Sequence, residues 1–316
     1  MTHHLDRTVL TLAAACILFL VLGGLVPEWL RFMVQVSLAK ALVVLGVMLQ
    51  MRAGLVSFGQ GLYFCLGGYT AGMLGHLAGI TDLFLLLLLG VAVAAVVAVV
   101  LGLLMARYRE IFFAMLSLAL SMILYGALVR AEALGSTDGF NVPAVTLLGI
   151  APGTSTLRYI LFGFTCVLTF GCAAGLHRYL TTIHGGLGEA IRENELRVEY
   201  LGASVRNVVH LLYVIAAALS GLGGVLVAVT VGHVDPNMAY WTTSGEFVFV
   251  ALLSGLGSVI APIVGALLLE VIRLFAFEYA PYTWQMILGG TMLLVIMFLP
   301  GGLWSLATRW RTERPS

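Results

Sequence analysis

Ionisable residues embedded in apolar sequence are the first candidates for chemistry, because an unpaired charge at bilayer depth is costly. Lys40, Glu270 and Arg273 are of this kind. Glu270 and Arg273 stand at i and i+3 and can pair across one helical turn, which favours a structural ion pair over transported-ion chemistry. Lys40 lies a third to half of the way along an apolar segment, where its stem can snorkel toward the outer interface or its ammonium can face a pore. No run of carboxylate, histidine and basic residues threads the apolar segments, so a pump-type proton relay has little support. Lys40 is the sole lysine and lacks the preceding glycines of GxxxxGK[ST], so the chain has no P-loop for ATP. HExxH and GxSxG are also missing, and Cys16, Cys65, Cys166 and Cys172 have neither CxxC spacing nor a nearby histidine. These cysteines read as small buried apolar side chains. The sequence thus offers no catalytic residue and no metal-ligand set.

The elements that carry these residues must be membrane helices. Hydrophobic residues make up 61% of the chain and charged residues 10%, with a mean hydropathy of +1.06, whereas an ordinary soluble domain has about 25% charged residues. Apolar runs of about 17–25 residues fill the 316 residues, which leaves one membrane domain, 1–316, and no separate soluble one. A net charge of +1 with scattered basic residues gives no electrostatic case for nucleic acid. Backbone amides in hydrocarbon must be satisfied within their own segment, which demands helices here, since the short alternating strands of a barrel are absent.

The expected spans are 8–26, 32–51, 55–77, 82–105, 111–130, 157–177, 208–231, 246–259, 261–277 and 284–303, an all-α integral membrane protein of about ten transmembrane helices. The first follows Asp6 and Arg7, is too long for a signal-peptide core and lacks a small-residue cleavage site before Pro27, so it reads as a retained span.

Basic residues in short loops stay in the cytoplasm. Cytoplasmic N- and C-termini place Arg7, Arg52, Arg107, Arg109, Arg178, Arg192, Arg197, Arg206, Arg309, Arg311 and Arg314 inside, and leave Arg31, Arg130, Arg158 and Arg273 at or near the outside. The loop at 177–207, between the sixth and seventh helices, is then cytoplasmic. An external loop covers 131–156, with turn formers from Gly135 to Pro143, and a second external piece covers 232–245, with Pro236 and the interface-suited Tyr240 and Trp241.

The cytoplasmic loop is the one long polar segment between spans, and it needs a partner in water. It opens with a Gly185-Gly186-x-Gly188 turn and continues as one helix over 189–200, closing at Gly202 as C-cap. Charges at Glu189, Arg192, Glu193, Glu195, Arg197 and Glu199 leave Ala190, Ile191, Leu196, Tyr200 and Leu201 to pack on a partner or on the membrane domain. A hairpin lying on the bilayer is the alternative, disfavoured by its acidic content. Two further segments, 55–79 and 254–265, are rich in glycine and hydroxyls, as expected either of a transporter's substrate route or of close helix packing.

Several motifs then fall in order: Ser57-Phe58-Gly59-Gln60-Gly61, Gly68-Tyr69-Thr70-Ala71, Ser136-Thr137-Asp138-Gly139, Ala190-Ile191-Arg192-Glu193-Asn194-Glu195 through Glu199-Tyr200-Leu201-Gly202, Gly255-Leu256-Gly257-Ser258-Val259-Ile260-Ala261-Pro262, and Pro300-Gly301-Gly302-Leu303. With these the chain resembles, over nearly its whole length, the branched-chain amino acid permeases of bacterial ATP-binding-cassette importers, in their longer, LivM-type form. The importers' EAA-type signature is only loosely present, because Glu195 and Glu199 stand at the wrong distances from Gly202.

The resemblance implies a multi-pass permease of the bacterial inner membrane that binds no cofactor itself. Its partners would be a homologous LivH-type permease, two cassette ATPases of the LivG and LivF types carrying ATP and Mg, and an extracytoplasmic amino-acid-binding protein received by the external loops. The coupling element that fits the ATPase would comprise Glu189, Ala190, Ile191, Arg192, Glu193, Asn194, Glu195, Glu199, Tyr200 and Gly202. A transported zwitterion needs donors for its carboxylate, which interrupted-helix N-termini near Gly59 and Gly255 could supply, with Ser57, Gln60, Tyr63, Tyr69, Ser254 and Ser258 lining the route. Relatives import urea, short amides and aromatic acids as well, and an ion-coupled secondary carrier is a further alternative.

Overall fold

The computed structural model describes residues 6–150, 153–299 and 301–305. Pro300, Arg309, Arg311, Arg314 and the C-terminus therefore fall outside the described residues. The chain builds twelve α-helices there: α1 (Arg7–Leu25), α2 (Glu28–Arg52), α3 (Gln60–Leu77), α4 (Leu83–Met105), α5 (Glu110–Arg130), α6 (Thr154–Leu180), α7 (Ile183–Glu193), α8 (Glu195–Tyr200), α9 (Val205–Val231), α10 (Trp241–Ser254), α11 (Ile260–Tyr279) and α12 (Trp284–Phe298). Two short strands, β1 (Phe140–Asn141) and β2 (His233–Val234), pair antiparallel.

Among the described residues, α1, α2, α4, α5, α6, α9 and α11 are long and apolar enough to cross a membrane. The fold is that of an all-α integral membrane protein. Helices α3, α10 and α12 stand where three further spans were expected, but α10 and α12 have only 14 and 15 residues, short of the ~20 that cross a bilayer unaided.

Two boundaries differ from expectation, each for a local reason. Residues 53–59 are not helical: Ser117 Oγ accepts from Phe58 N at 3.0 Å and Ser57 Oγ from Gly59 N, so serine side chains satisfy the amides a helix would otherwise engage. Helix α10 starts at Trp241, within the expected external piece, and stops at Ser254, because Gly255 takes φ +89°, a value L side chains rarely adopt.

Helix α2 forms the axis of the bundle. Its residues 35–51 are buried almost without interruption, against α9, α11, α6 and α10, because apolar residues fall on all its faces and Gln35, Ser37, Lys40 and Gln50 find polar partners. In lipid, apolar burial alone does not drive helices together, so close backbone approach has to do so. Helices α3 and α9 supply it where Gly67 faces the backbone of Gly221, leaving no space for a Cβ at position 67. For this glycine the close-packing reading of the 55–79 segment holds. Val96, Val99, Val100 and Leu103 on α4 are exposed, as suits a lipid-facing side.

The two ends of the bundle differ. At the arginine-rich end, taken as inner by the positive-inside rule, Arg52 pairs with Glu189 and Arg109 with Glu195. At the other end Arg158 pairs with Glu28, and the two expected external segments meet in the β1–β2 ribbon, where His233 Nδ1 lies 3.0 Å from Asn141 Oδ1. Asp82 fastens the same end: one carboxylate oxygen caps α4 by accepting from Phe84 N and Leu85 N, and the other accepts from Leu148 N at 2.6 Å.

Candidate functional site

The inner polar loop folds as two helices, not one. Helix α7 starts at Ile183, where Thr182 Oγ1 accepts from Gly185 N, so Gly185, Gly186 and Gly188 lie within a helix and form no turn. It ends at Asn194, whose backbone is extended (φ −164°, ψ 104°) and whose side chain accepts from Arg197 N to cap α8. Asparagine favours this half-in position because its short amide satisfies a free amide of the first turn, and that preference breaks the expected single helix. Gly202 (φ +86°) closes α8, its N–H donating to Glu199 O.

This elbow has an anchored side and an open side. Ile191 and Val198 are buried in the bundle, Ala190 is half-buried, and Glu189 and Glu195 are held by Arg52 and Arg109. Three of the expected coupling residues (Ala190, Ile191 and Glu195) therefore face the membrane domain, and Glu189, though exposed, is tied to it by Arg52. Arg192, Glu193, Asn194, Glu199, Tyr200 and Gly202 are exposed. Beside them Leu196, Tyr200 and Leu201 are 66%, 90% and 82% exposed, an apolar patch ringed by charge. Such a patch, on the aqueous side and too polar in its surroundings for hydrocarbon, can dock a protein surface.

The six residues expected along a substrate route lie inside the fold. Gln60 donates to Gln50 Oε1 at 2.9 Å and accepts from Ser220 Oγ at 2.7 Å, and Tyr63 donates to Tyr213 Oη at 2.9 Å. Ser57 and Ser254 are buried, Ser254 donating to Ala251 O, and half-buried Ser258 accepts from Ile260 N. Tyr69 packs edge-on against Phe140, its buried hydroxyl without a hydrogen-bond partner among the described residues. The amides near the start of α3 are used as well, Gly61 N donating to Ser244 Oγ at 2.9 Å. The structure brings Ser57, Gln60 and Tyr63 into one packed region, leaves Tyr69, Ser254 and Ser258 apart from it, and opens none of the six onto the cavity described below.

A different polar group occupies the core. Lys40 Nζ lies 3.3 Å from Glu270 Oε2 and 3.7 Å from Glu246 Oε1, and Arg273 pairs with both carboxylates. Lys40 is the middle residue of α2, about 18 Å from either end at 1.5 Å per residue, too far for its stem to reach either end of the helix, so it pairs where it stands. Arg273, expected near the outside, turns inward to the same cluster. The i, i+3 pair of Glu270 and Arg273 is present, but as half of a quartet. Sequence reasoning missed Glu246, although three charges in apolar segments, two of them positive, signal that a second carboxylate is needed for neutrality.

Glu270 and Arg273 also floor a cavity of about 740 Å³ that opens between the outer ends of α2, α6, α9 and α11. Trp29, Phe32, Leu161 and Phe277 wall it, with Arg158 and Glu28 at its mouth. One anion and one cation sum to zero, as does the quartet behind them, so the floor gives no net attraction for an ion of either sign.

Seven helices of membrane-crossing length among the described residues, packed in one bundle with an anchored elbow on one face, define a multi-pass membrane protein. Residues 29–297 match the family described as branched-chain amino acid transport system / permease component, and the chain belongs to it. It is 29% identical over 308 residues to the high-affinity branched-chain amino acid transport system permease protein LivM of Escherichia coli K12, covering 90% of this chain and 71% of the relative. To BraD of Pseudomonas aeruginosa it is 24% identical, over 79% of this chain and 86% of the relative. To LivH of Escherichia coli K12 it is 22% identical, over 79% and 85%. No solved structure matches the chain. The LivM-type resemblance and the permease function of the importer class are thereby established.

Proposed function

We propose that this permease subunit moves branched-chain or related hydrophobic amino acids into the cytoplasm, driven by ATP hydrolysis on two partner cassette ATPases of the LivG and LivF types. A LivH-type permease completes the membrane part, and an extracytoplasmic binding protein delivers substrate to the β1–β2 face. ATP and Mg stay on the partners, and the chain itself takes no cofactor.

The observation that carries this reading is the elbow of α7 and α8. Its inner side is fixed by Arg52 and Arg109, while its outer side presents Leu196, Tyr200 and Leu201 to water. A lever needs both a rigid root and a free contact face, and this element has the two.

Affinity capture of the tagged chain from its native membrane, followed by mass spectrometry, tests the assembly. A cassette ATPase and a second permease are expected in the eluate, and uptake of labelled leucine by the reconstituted set should require ATP. Uptake of leucine by the purified chain alone under an ion gradient would instead indicate a secondary carrier. The ligand held by the co-captured binding protein decides between branched-chain amino acids and urea, amides or aromatic acids.

A further inference from the structure

At the inner end of α2 one side chain touches two other elements at once. Arg52 Nη1 lies 3.2 Å from Glu189 Oε1 on α7, and Arg52 Nε donates at 2.8 Å to Leu256 O in the break between α10 and α11. The Arg52 side chain is 16% exposed and that of Glu189 63%, so the guanidinium is the embedded hub and the carboxylate its outward handle. The break itself is closely packed: Gly255, at φ +89°, sets its backbone against Gly301 and Gly302. Higher up, the quartet fastens the same two helices to α2 through Lys40. The α10–α11 pair is thus tied to α2 at two heights, and only the lower tie also reaches α7.

The second anchor is built differently. Arg109 pairs with Glu195 on α8, but its remaining bonds go to Ala106 O and Tyr108 O, carbonyls of its own turn. The side chain of Arg109 therefore links α8 to no second helix. A displacement of α7 does not end at Arg52, because the guanidinium is a rigid plane whose nitrogens hold partners in different directions.

We infer that Arg52 is the positioning residue through which movement of α7 reaches the α10–α11 turn. The inference rests on the importer reading above, since a nucleotide-driven partner must supply the movement. Pulling on Glu189 turns the guanidinium and shifts the Leu256 carbonyl, and the turn carries α10 and α11 with it.

The test uses the assembled transporter in proteoliposomes, with labelled leucine uptake and ATP hydrolysis measured on the same preparation. Arg52→Gln, Arg52→Lys and Glu189→Gln should each lower leucine moved per ATP hydrolysed by roughly 5- to 150-fold, the range of an ordinary coupling free energy, while the complex still purifies with its ATPases. Lysine retains the charge opposite Glu189 but cannot hold both partners. Exchanging the pair, Arg52→Glu with Glu189→Arg, should stay uncoupled because the bond to Leu256 O is not regained. An assembled Arg52→Gln or Glu189→Gln complex with the wild-type ratio overturns the inference, and so does a parallel fall in uptake and hydrolysis, which marks a purely structural role. If the Arg52 variants fail to accumulate, Glu189→Gln, at an exposed carboxylate, decides alone. A wild-type chain that captures no ATPase would sink the importer reading, and this inference with it.

Discussion

Lys40 Nζ and Glu270 Oε2 lie 3.3 Å apart although 230 residues separate them in sequence, and their contact joins the midpoint of α2 to α11. With Glu246 and Arg273 they make a neutral quartet inside the bundle. Neutrality is what lets four charges sit there, because each one offsets the desolvation of its neighbours.

Removing one member leaves an uncompensated charge, so Lys40→Met should destabilise the protein by about 3–5 kcal/mol. The double variant Lys40→Met with Glu270→Gln removes one charge of each sign and should recover part of that loss. Thermal midpoints of the detergent-solubilised protein check both, and a Lys40→Met variant that melts with the wild type would show that the quartet does not stabilise the fold.

Gln60 is bonded on both sides within the packed interior. Gln60→Ala should therefore lower stability by about 1–3 kcal/mol through the partners it orphans, with the KM for leucine uptake unchanged. A raised KM at wild-type stability would place Gln60 on the substrate route.

Tyr200 and Ile191 occupy opposite sides of the elbow. Tyr200→Ala should leave thermal stability within about 0.5 kcal/mol, as for other exposed positions, yet reduce ATPase capture. Ile191→Ala, at a residue 3% exposed, should cost about 2–5 kcal/mol as a cavity in the packing. Equal effects of the two on stability would contradict the sidedness of the element.

Asp138 and Glu193 lie at opposite ends of the bundle and are both exposed. A cysteine at Asp138 should react with a membrane-impermeant maleimide in intact cells, and one at Glu193 only after permeabilisation. The native thiols give little background, because Cys65 and Cys166 are buried and Cys16 and Cys172 half-buried within helices. Reversed labelling would invert the orientation drawn from the arginines.

The helices themselves were legible because apolar runs of membrane length leave the backbone little choice. The inner loop was legible as a contact element from its charges, but not as an elbow: the break at Asn194 depends on one side chain preferring a cap to a helix interior. Ser57, Gln60 and Tyr63 looked like route residues because hydroxyls and amides in an apolar segment invite that reading. Ser220 and Gln50, the partners of Gln60, and Tyr213, that of Tyr63, lie on other helices, where no local pattern reveals them, while Ser57 accepts from Gly59 N two residues on. Lys40 is visible as an oddity, while its answer in Glu246 lies 206 positions away, near the start of a helix whose first turn reads as a loop. Arg52 and Arg109 counted only as charges for orientation, since nothing near them in sequence names Glu189, Glu195 or Leu256.

Where α3 meets α9, Gly67 and Gly221 already contribute the fewest atoms any residue can. Every replacement at either site is an enlargement, and at Gly67, where the nearest atoms are the backbone of Gly221, no trimming of a side chain can make room for it. Gly67→Val should therefore abolish accumulation of the protein in membranes, and a second-site suppressor would have to arise by tilting a whole helix. Mutational drift at that crossing has only one direction, and it leads out of the fold.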